Sequence, residues 1–252
     1  MRILITNDDG VAAPGLECLR RIAEAVGDEV WLCAPETDQS GLAHSLTLND
    51  PLRVRALGER RFAVRGTPTD CVIMAVRQLM PEPPDLVLSG VNGGQNVSDD
   101  VTYSGTVAGA IEGTLLGIPS IALSQAFDWN RTADVPFETA EAHGPGLVRS
   151  LVEAGIKPGT FVNVNFPDCS PEEVRGIEVT QQGGRSHGLH IDARIDARQR
   201  PYYWLTYGRA ALEPVPGTDM HALAARRISV TPLRIDLTST EDLVRLAGAV
   251  GR

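Results

Sequence analysis

The chain has 252 residues, of which 42% are apolar and 22% charged, with 25 Gly and 17 Pro. A chain this long buries roughly 70–75% of its unfolded surface, and the composition excludes disordered, collagenous and coiled-coil organisation. Lys plus Arg number 23 against 32 Asp plus Glu, and the formal charge of −9 gives no long-range pull toward a nucleic-acid polymer or an anionic membrane surface, so a phosphate ligand would need a local attraction.

Arg2–Thr6 reads as a buried strand of the kind a parallel sheet covered on both faces demands. A helix over Gly15–Val26 follows, then a strand at Trp31–Ala34 stopped by Pro35, then a long loop over Glu36–Asp50 rich in Ser, Thr, Asp and Gly. Leu52–Ala56 and Arg61–Val64 read as short strands around Gly58 and Glu59, and Pro68-Thr69 opens a helix to about Leu79. Asp85–Ser89 is a third buried strand. After it come the Gly/Asn loop Gly90–Asp100, a helix from about Ser104 to Leu116 stopped by Gly117, and the strand Ser120–Ser124. A helix over Pro136–Ala154 and a strand over Phe161–Phe166 complete an alternation that predicts an α/β fold with a doubly wound, mostly parallel sheet whose wound part ends near Pro167. Residues 181–217 then carry many Arg and the aromatic run Tyr202-Tyr203-Trp204 with Tyr207, which fits an extended β-hairpin arm that buries its rings only against a partner. Arg227–Pro232 reads as a returning strand and Thr240–Val250 as a terminal helix. The expected division is a core over 1–180, an oligomerisation arm over 181–217, and a strand and helix over 218–252 packed on the core.

Cys18, Cys33, Cys71 and Cys169 form no Cys-x-x-C pair and meet no His at zinc spacing, so neither disulfides nor a structural zinc site is expected, and reduced thiols suit a cytoplasm. A strand pattern starting at Arg2 leaves no room for a signal peptide, and no apolar run approaches the ~18 residues of a membrane span.

In an open parallel sheet, ligands bind beyond the carboxyl ends of the strands, so polar residues just after each strand carry the chemistry. Asn7-Asp8-Asp9-Gly10 follows the first strand. Its adjacent carboxylates repel unless a cation lies between them or one takes a proton; a hard divalent ion is the simpler resolution, and a helix cap or Asx turn is the structural alternative. Gly90-Val91-Asn92-Gly93-Gly94-Gln95-Asn96 offers amide and backbone groups for a metal or an anion, and an ordinary Gly-rich turn explains it almost as well. Tyr103-Ser104-Gly105-Thr106 at a predicted helix start makes an anion cradle, or a plain Ser cap. Three such loops on one sheet edge point to a metal-dependent phosphoester site. The loop Gln39–Thr47 can add a hydroxyl from Ser40 or Ser45, and His44 within it can assist leaving-group protonation.

The same residues resemble a known family. The Asn-Asp-Asp-Gly ending of Met1–Gly10, Ala34-Pro35 with Gln39-Ser40-Gly41 and Ser45-Leu46-Thr47, Gly66–Cys71, Ser89–Asn96 and Tyr103–Val107 look like the SurE family of survival proteins. Asn163-Val164-Asn165, the aromatic arm, Thr218-Asp219 and Ser229–Leu233 continue the match in one order across nearly the whole chain. The resemblance implies a Rossmann-like core and a metal-dependent 5′-nucleotidase acting on nucleoside monophosphates, with some members acting on 3′-nucleotides or short polyphosphate. It also implies an arm exchanged between subunits of a homodimer or homotetramer. By motif, Asp8, Asp9, Ser40 and Asn92 match the ligands of one divalent ion per subunit, Mg²⁺ or Mn²⁺, and Asn96, Ser104, Gly105 and Thr106 match the phosphate neighbourhood. Ala43-His44 and Ala225-Arg226-Arg227 depart from the commoner pattern, the first at the site loop.

A dinucleotide-dependent oxidoreductase would want G-x-G-x-x-G where Asn-Asp-Asp-Gly stands, and a P-loop enzyme would want Gly-Lys-Ser/Thr. An aspartyl-phosphate phosphatase of the haloacid-dehalogenase type would want Asp-x-Asp. A nucleotide-binding protein without turnover is the remaining alternative. The expected mechanism has the divalent ion bind a phosphoryl oxygen and lower the pKa of water, with Ser104, Gly105 and Thr106 stabilising the equatorial oxygens. Direct attack by one Asp is its rival.

Overall fold

A computed structural model describes residues 1–128, 134–184, 187–209 and 213–250, without the side chains of 187–189 and 207–209; the ring expected at Tyr207 therefore lies outside the described residues. Six strands run parallel: β1 (Arg2–Thr6), β2 (Glu29–Pro35), β4 (Arg61–Arg65), β5 (Leu86–Gly93), β6 (Ser120–Gln125) and β7 (Thr160–Phe166). β3 (Arg53–Gly58) pairs antiparallel with β4. β11 (Ile228–Arg234) runs antiparallel beside β7, and β8 (Ile177–Val179) pairs parallel with β11. The sheet order is β3-β4-β2-β1-β5-β6-β7-β11-β8. The wound part thus gives way to a returning strand that extends the same sheet.

Alternation along β1 shows why the sheet is covered twice. Ile3 and Ile5 join the core formed with α1 (Pro14–Val26) and α5 (Glu138–Ala154), whereas Leu4 faces α2 (Pro68–Met74) in a separate cluster. α2 starts with a capping box in which the Thr67 hydroxyl accepts from Asp70 N–H and the Asp70 carboxylate accepts from Thr67 N–H, and it ends in a wider helical turn over Ala75–Leu79. The elements not anticipated are short: α3 (Asp100–Tyr103), β8 and α6 (Asp219–Ala224) offer too few residues for a period to show. β9 (His187–Ile195) and β10 (Pro201–Arg209) form a separate two-stranded hairpin, as expected of the arm. The terminal helix α7 (Thr240–Val250), expected to pack on the core, buries none of its residues. No described helix is long and apolar enough to cross a membrane.

From β1 the chain steps to β2 on one side and later returns to β5 on the other, so the switch of direction lies between β1 and β5. A crevice opens at such a point beyond the carboxyl ends of the two strands.

Candidate metal and phosphate site

Asn7, Asp8 and Asp9 leave β1 at that crevice. Asn7 Nδ2 donates to the Gly10 carbonyl at 3.0 Å, and Gly10 turns the chain at φ +102°, a conformation that favours glycine. Asp8 is only 4% exposed. Its carboxylate accepts the Thr106 hydroxyl at 2.5 Å and the Thr106 backbone N–H. Both come from the first turn of α4 (Gly105–Leu115), whose N-cap is Ser104. Asp9 accepts the backbone N–H of Gly93, at the end of β5. Burial raises the pKa of both carboxyls, to about 6 at Asp9, where the charge of Asp8 adds to it; the Thr106 bonds pull Asp8 partly back.

Gly105 allows α4 to come this close. A Cβ there would lie 2.7 Å from the Asp8 Cβ and 2.8 Å from its Oδ2. Gly105→Ala should therefore push Asp8 aside and lower kcat by about tenfold or more while the circular dichroism spectrum stays native, which phosphate-release kinetics on the purified variant will check.

The loop after β2 is drawn in by the Gln39 N–H, which donates to the Asp8 carbonyl at 2.8 Å. Within it, Ser40 donates from N and Oγ to Asp38 Oδ1, at 2.8 and 2.6 Å, which leaves the hydroxyl lone pairs available. Asn92 Nδ2 donates to the Gly94 carbonyl at 2.8 Å, leaving Oδ1 as an acceptor. Asn96 is held on all sides: its N–H donates to Asn165 Oδ1 at 2.8 Å, its Nδ2 to Ser124 Oγ at 2.9 Å, and its carbonyl accepts Asn163 Nδ2 and Asn165 Nδ2. Asn163 and Asn165, two apart on β7, share a face as strand periodicity requires. Ser104 Oγ accepts from Val107 N–H at 3.0 Å, and its own proton remains to be given.

Asp8, Asp9, Ser40, Asn92, Asn96 and Ser104 line one cavity of about 830 Å³. Gly105 and Thr106 stand against Asp8 and are not among the residues that line the cavity, and the Thr106 hydroxyl and N–H are both bonded to that carboxylate. Asn96 lines the cavity while its N–H and its Nδ2 are bonded to Asn165 and Ser124. His44 does not line the cavity; its Nε2 is 2.9 Å from the carboxylate of Glu112. Sequence reasoning passed over Asp38, although its spacing to Ser40 is that of an Asx turn.

The cavity is lined by Asp8, Asp9, Asp38, Asp100, Asp128 and Asp168, and none of its described lining residues is Lys, Arg or His. Among the described residues no cluster of three or more His, Cys, Asp or Glu is arranged for metal binding. Among the donors are the mutually repelling carboxylates of the buried Asp8 and the half-buried Asp9, completed by amide and hydroxyl oxygens, a set that fits a hard divalent cation.

The family model described as "Survival protein SurE" matches residues 3–188. The chain is 59% identical over 251 residues to "5′-nucleotidase SurE" of Methylorubrum extorquens strain PA1, covering 99% of each. It is 60% identical to the protein of the same name from Methylobacterium sp. strain 4-46, over an alignment of 253 residues that covers 100% of both. The crystal structure of the SurE protein from Aquifex aeolicus superposes with a TM-score of 0.86 at 38% identity, covering 99% of each chain. On sequence and on fold, the chain belongs to the SurE family.

Proposed function

We propose that this chain is a metal-dependent 5′-nucleotidase that releases phosphate from nucleoside 5′-monophosphates, with 3′-nucleotides and short polyphosphate as further substrates. The relatives matched over their whole length are named 5′-nucleotidases. The observation that carries the reading is the cavity itself. Asp8 and Asp9 stand side by side in its wall and repel one another, so a phosphate dianion is repelled there too unless a cation enters with it.

Asp8, Asp9, Ser40 and Asn92 would hold one Mg²⁺ or Mn²⁺ per subunit. Bound there, such an ion supplies neutralising charge at a phosphoryl oxygen and makes a nearby water more acidic. The protein does the rest by position. Thr106 and Gly105 fix Asp8 against α4, and Gly93 fixes Asp9 with a single N–H, leaving lone pairs to orient an attacking water. The free proton of Ser104 and the N-terminal dipole of α4 favour negative charge on the transferring group. Asn96 presents its acceptor to a substrate hydroxyl. The arm gives a homodimer or homotetramer, with the cytoplasm as the working compartment.

A phosphate-release panel over the nucleoside monophosphates tests the reading. Release should occur with Mg²⁺ or Mn²⁺ and stop with EDTA, and readdition of the ion should restore it. No release from any nucleotide with either ion would leave nucleotide binding without turnover.

A further inference from the structure

Asp219, at the start of α6, is fully buried and gives both carboxylate oxygens to backbone N–H groups from three places. Oδ2 accepts from Ser98 at 2.8 Å, and Oδ1 accepts from Gly183 at 2.9 Å and from Met220 at 2.8 Å. Around it, Gln182 Nε2 donates to the Ser98 carbonyl at 2.8 Å and the Asp219 N–H donates to the Gln181 carbonyl at 3.0 Å. One carboxylate thus joins the loop after β5, both limbs at the base of the arm, and α6. Desolvating a carboxylate is costly, so a buried one with three donors fixes the segments that supply them.

Those segments form the apolar part of the cavity. Met220 and Leu223, three residues apart on α6, line it together with Pro214 from the return of the arm and Phe127 after β6. α6 packs on β7 and β11, whereas the two carboxylates stand at the ends of β1 and β5. Two strand spacings, roughly 10 Å, separate β5 from β7, which is about the reach from phosphate to base in a nucleotide.

We propose that α6 forms the nucleoside subsite of this cavity and that Asp219 is the positioning residue that sets it; the identity of the occupant rests on the nucleotidase reading above. The phosphate end has its own anchors, Thr106 on Asp8 and the Ser124, Asn163 and Asn165 set on Asn96, so loss of Asp219 reaches the apolar wall and leaves them in place.

The test compares AMP with ribose 5-phosphate, which lacks the base, as substrates of the intact protein and of Asp219→Ala and Met220→Ala. Both variants should raise KM for AMP about tenfold or more, with kcat and the ribose 5-phosphate KM changed by less than about threefold. An equal rise for the two esters, or none for either, overturns the proposal. Met220→Ala, at a partly exposed position, keeps it falsifiable should Asp219→Ala fail to fold. Calorimetric titration of adenosine into the EDTA-treated proteins needs no turnover: affinity should fall about tenfold in both variants, and no binding to the intact protein, or equal binding by all three, also overturns the proposal. Adenosine binding that the variants weaken, in a protein that hydrolyses no nucleotide, would sink the nucleotidase reading and keep the subsite.

Discussion

Asp9→Asn should reduce phosphate release by about a thousandfold or more and, in metal-free buffer near pH 7.5, should raise the melting temperature. The first effect follows from the proposed role of Asp9 as a charged ligand of an ion that would supply several kcal/mol of charge stabilisation. The second follows from the cost of holding that carboxylate in the folded chain. Burial, then the charge of Asp8, raises its pKa from 3.8 to about 6, and a shift of this size corresponds to roughly 3 kcal/mol against the ionised folded form. Because the folded value is the higher one, the stability contributed by this group is fully present below about pH 4 and is lost as pH rises through about 6. The EDTA-treated protein should therefore melt at progressively lower temperature across that window relative to Asp9→Asn, whose amide has no charge to desolvate and still offers an oxygen to Gly93. Added Mg²⁺ should restore the parent protein and not the variant. Thermal melts against pH, with and without the ion, read both effects. Wild-type turnover by a folded Asp9→Asn protein, or parallel melting curves in EDTA, would remove Asp9 from its assigned place.

The sheet was legible because its strands are long, apolar and bounded by Gly or Pro, and because the rule for parallel sheets converts strand ends into candidate loops. Asp8, Asp9, Ser40 and Asn92 fell to that rule and to motif resemblance, and all four line one cavity. What escaped was the second layer of contacts. Nothing local in Ser104-Gly105-Thr106 says that the Thr106 hydroxyl turns onto Asp8, 98 positions earlier in sequence. Nor does Asn163-Val164-Asn165 announce that its amides hold Asn96; the alternation marks only one face of a strand. His44 was read from its loop, but its partner, Glu112, lies on α4 and draws the ring away from the cavity. α6 was missed for a different reason. Its Thr218 cap and the Met220–Leu223 spacing are helix signals, but six residues give less than two turns.

Removing β9 and β10, by replacing residues 187–209 with a short Gly-Ser turn, should convert an oligomer into a monomer whose nine-stranded sheet is intact. The two strands pair with each other and not with that sheet, so their loss breaks none of its ladders. Antiparallel register puts Tyr203 opposite Ala193 and Leu205 opposite Ile191, and directly opposed residues share a face. One face of the hairpin therefore collects Tyr203, Leu205, Ala193 and Ile191. In the single chain Tyr203 is 65% and Leu205 70% exposed, and on the other face Trp204, edge-on to Tyr202, is 59% exposed. A hairpin with large side chains wet on both faces needs cover from another surface. A second copy supplies it with closed symmetry if each arm lies on its neighbour, and the expected interface is of the obligate kind, above about 2,000 Å² in total with an apolar core. Leu243, Val244, Leu246 and Val250 on α7 are exposed as well and add apolar surface for such an assembly to bury. Light scattering at micromolar concentration decides the matter: the intact chain should give the mass of a dimer or tetramer and the shortened one that of a monomer. An intact monomer, or an oligomer that survives the replacement, would show that the arm is not the element that joins the subunits.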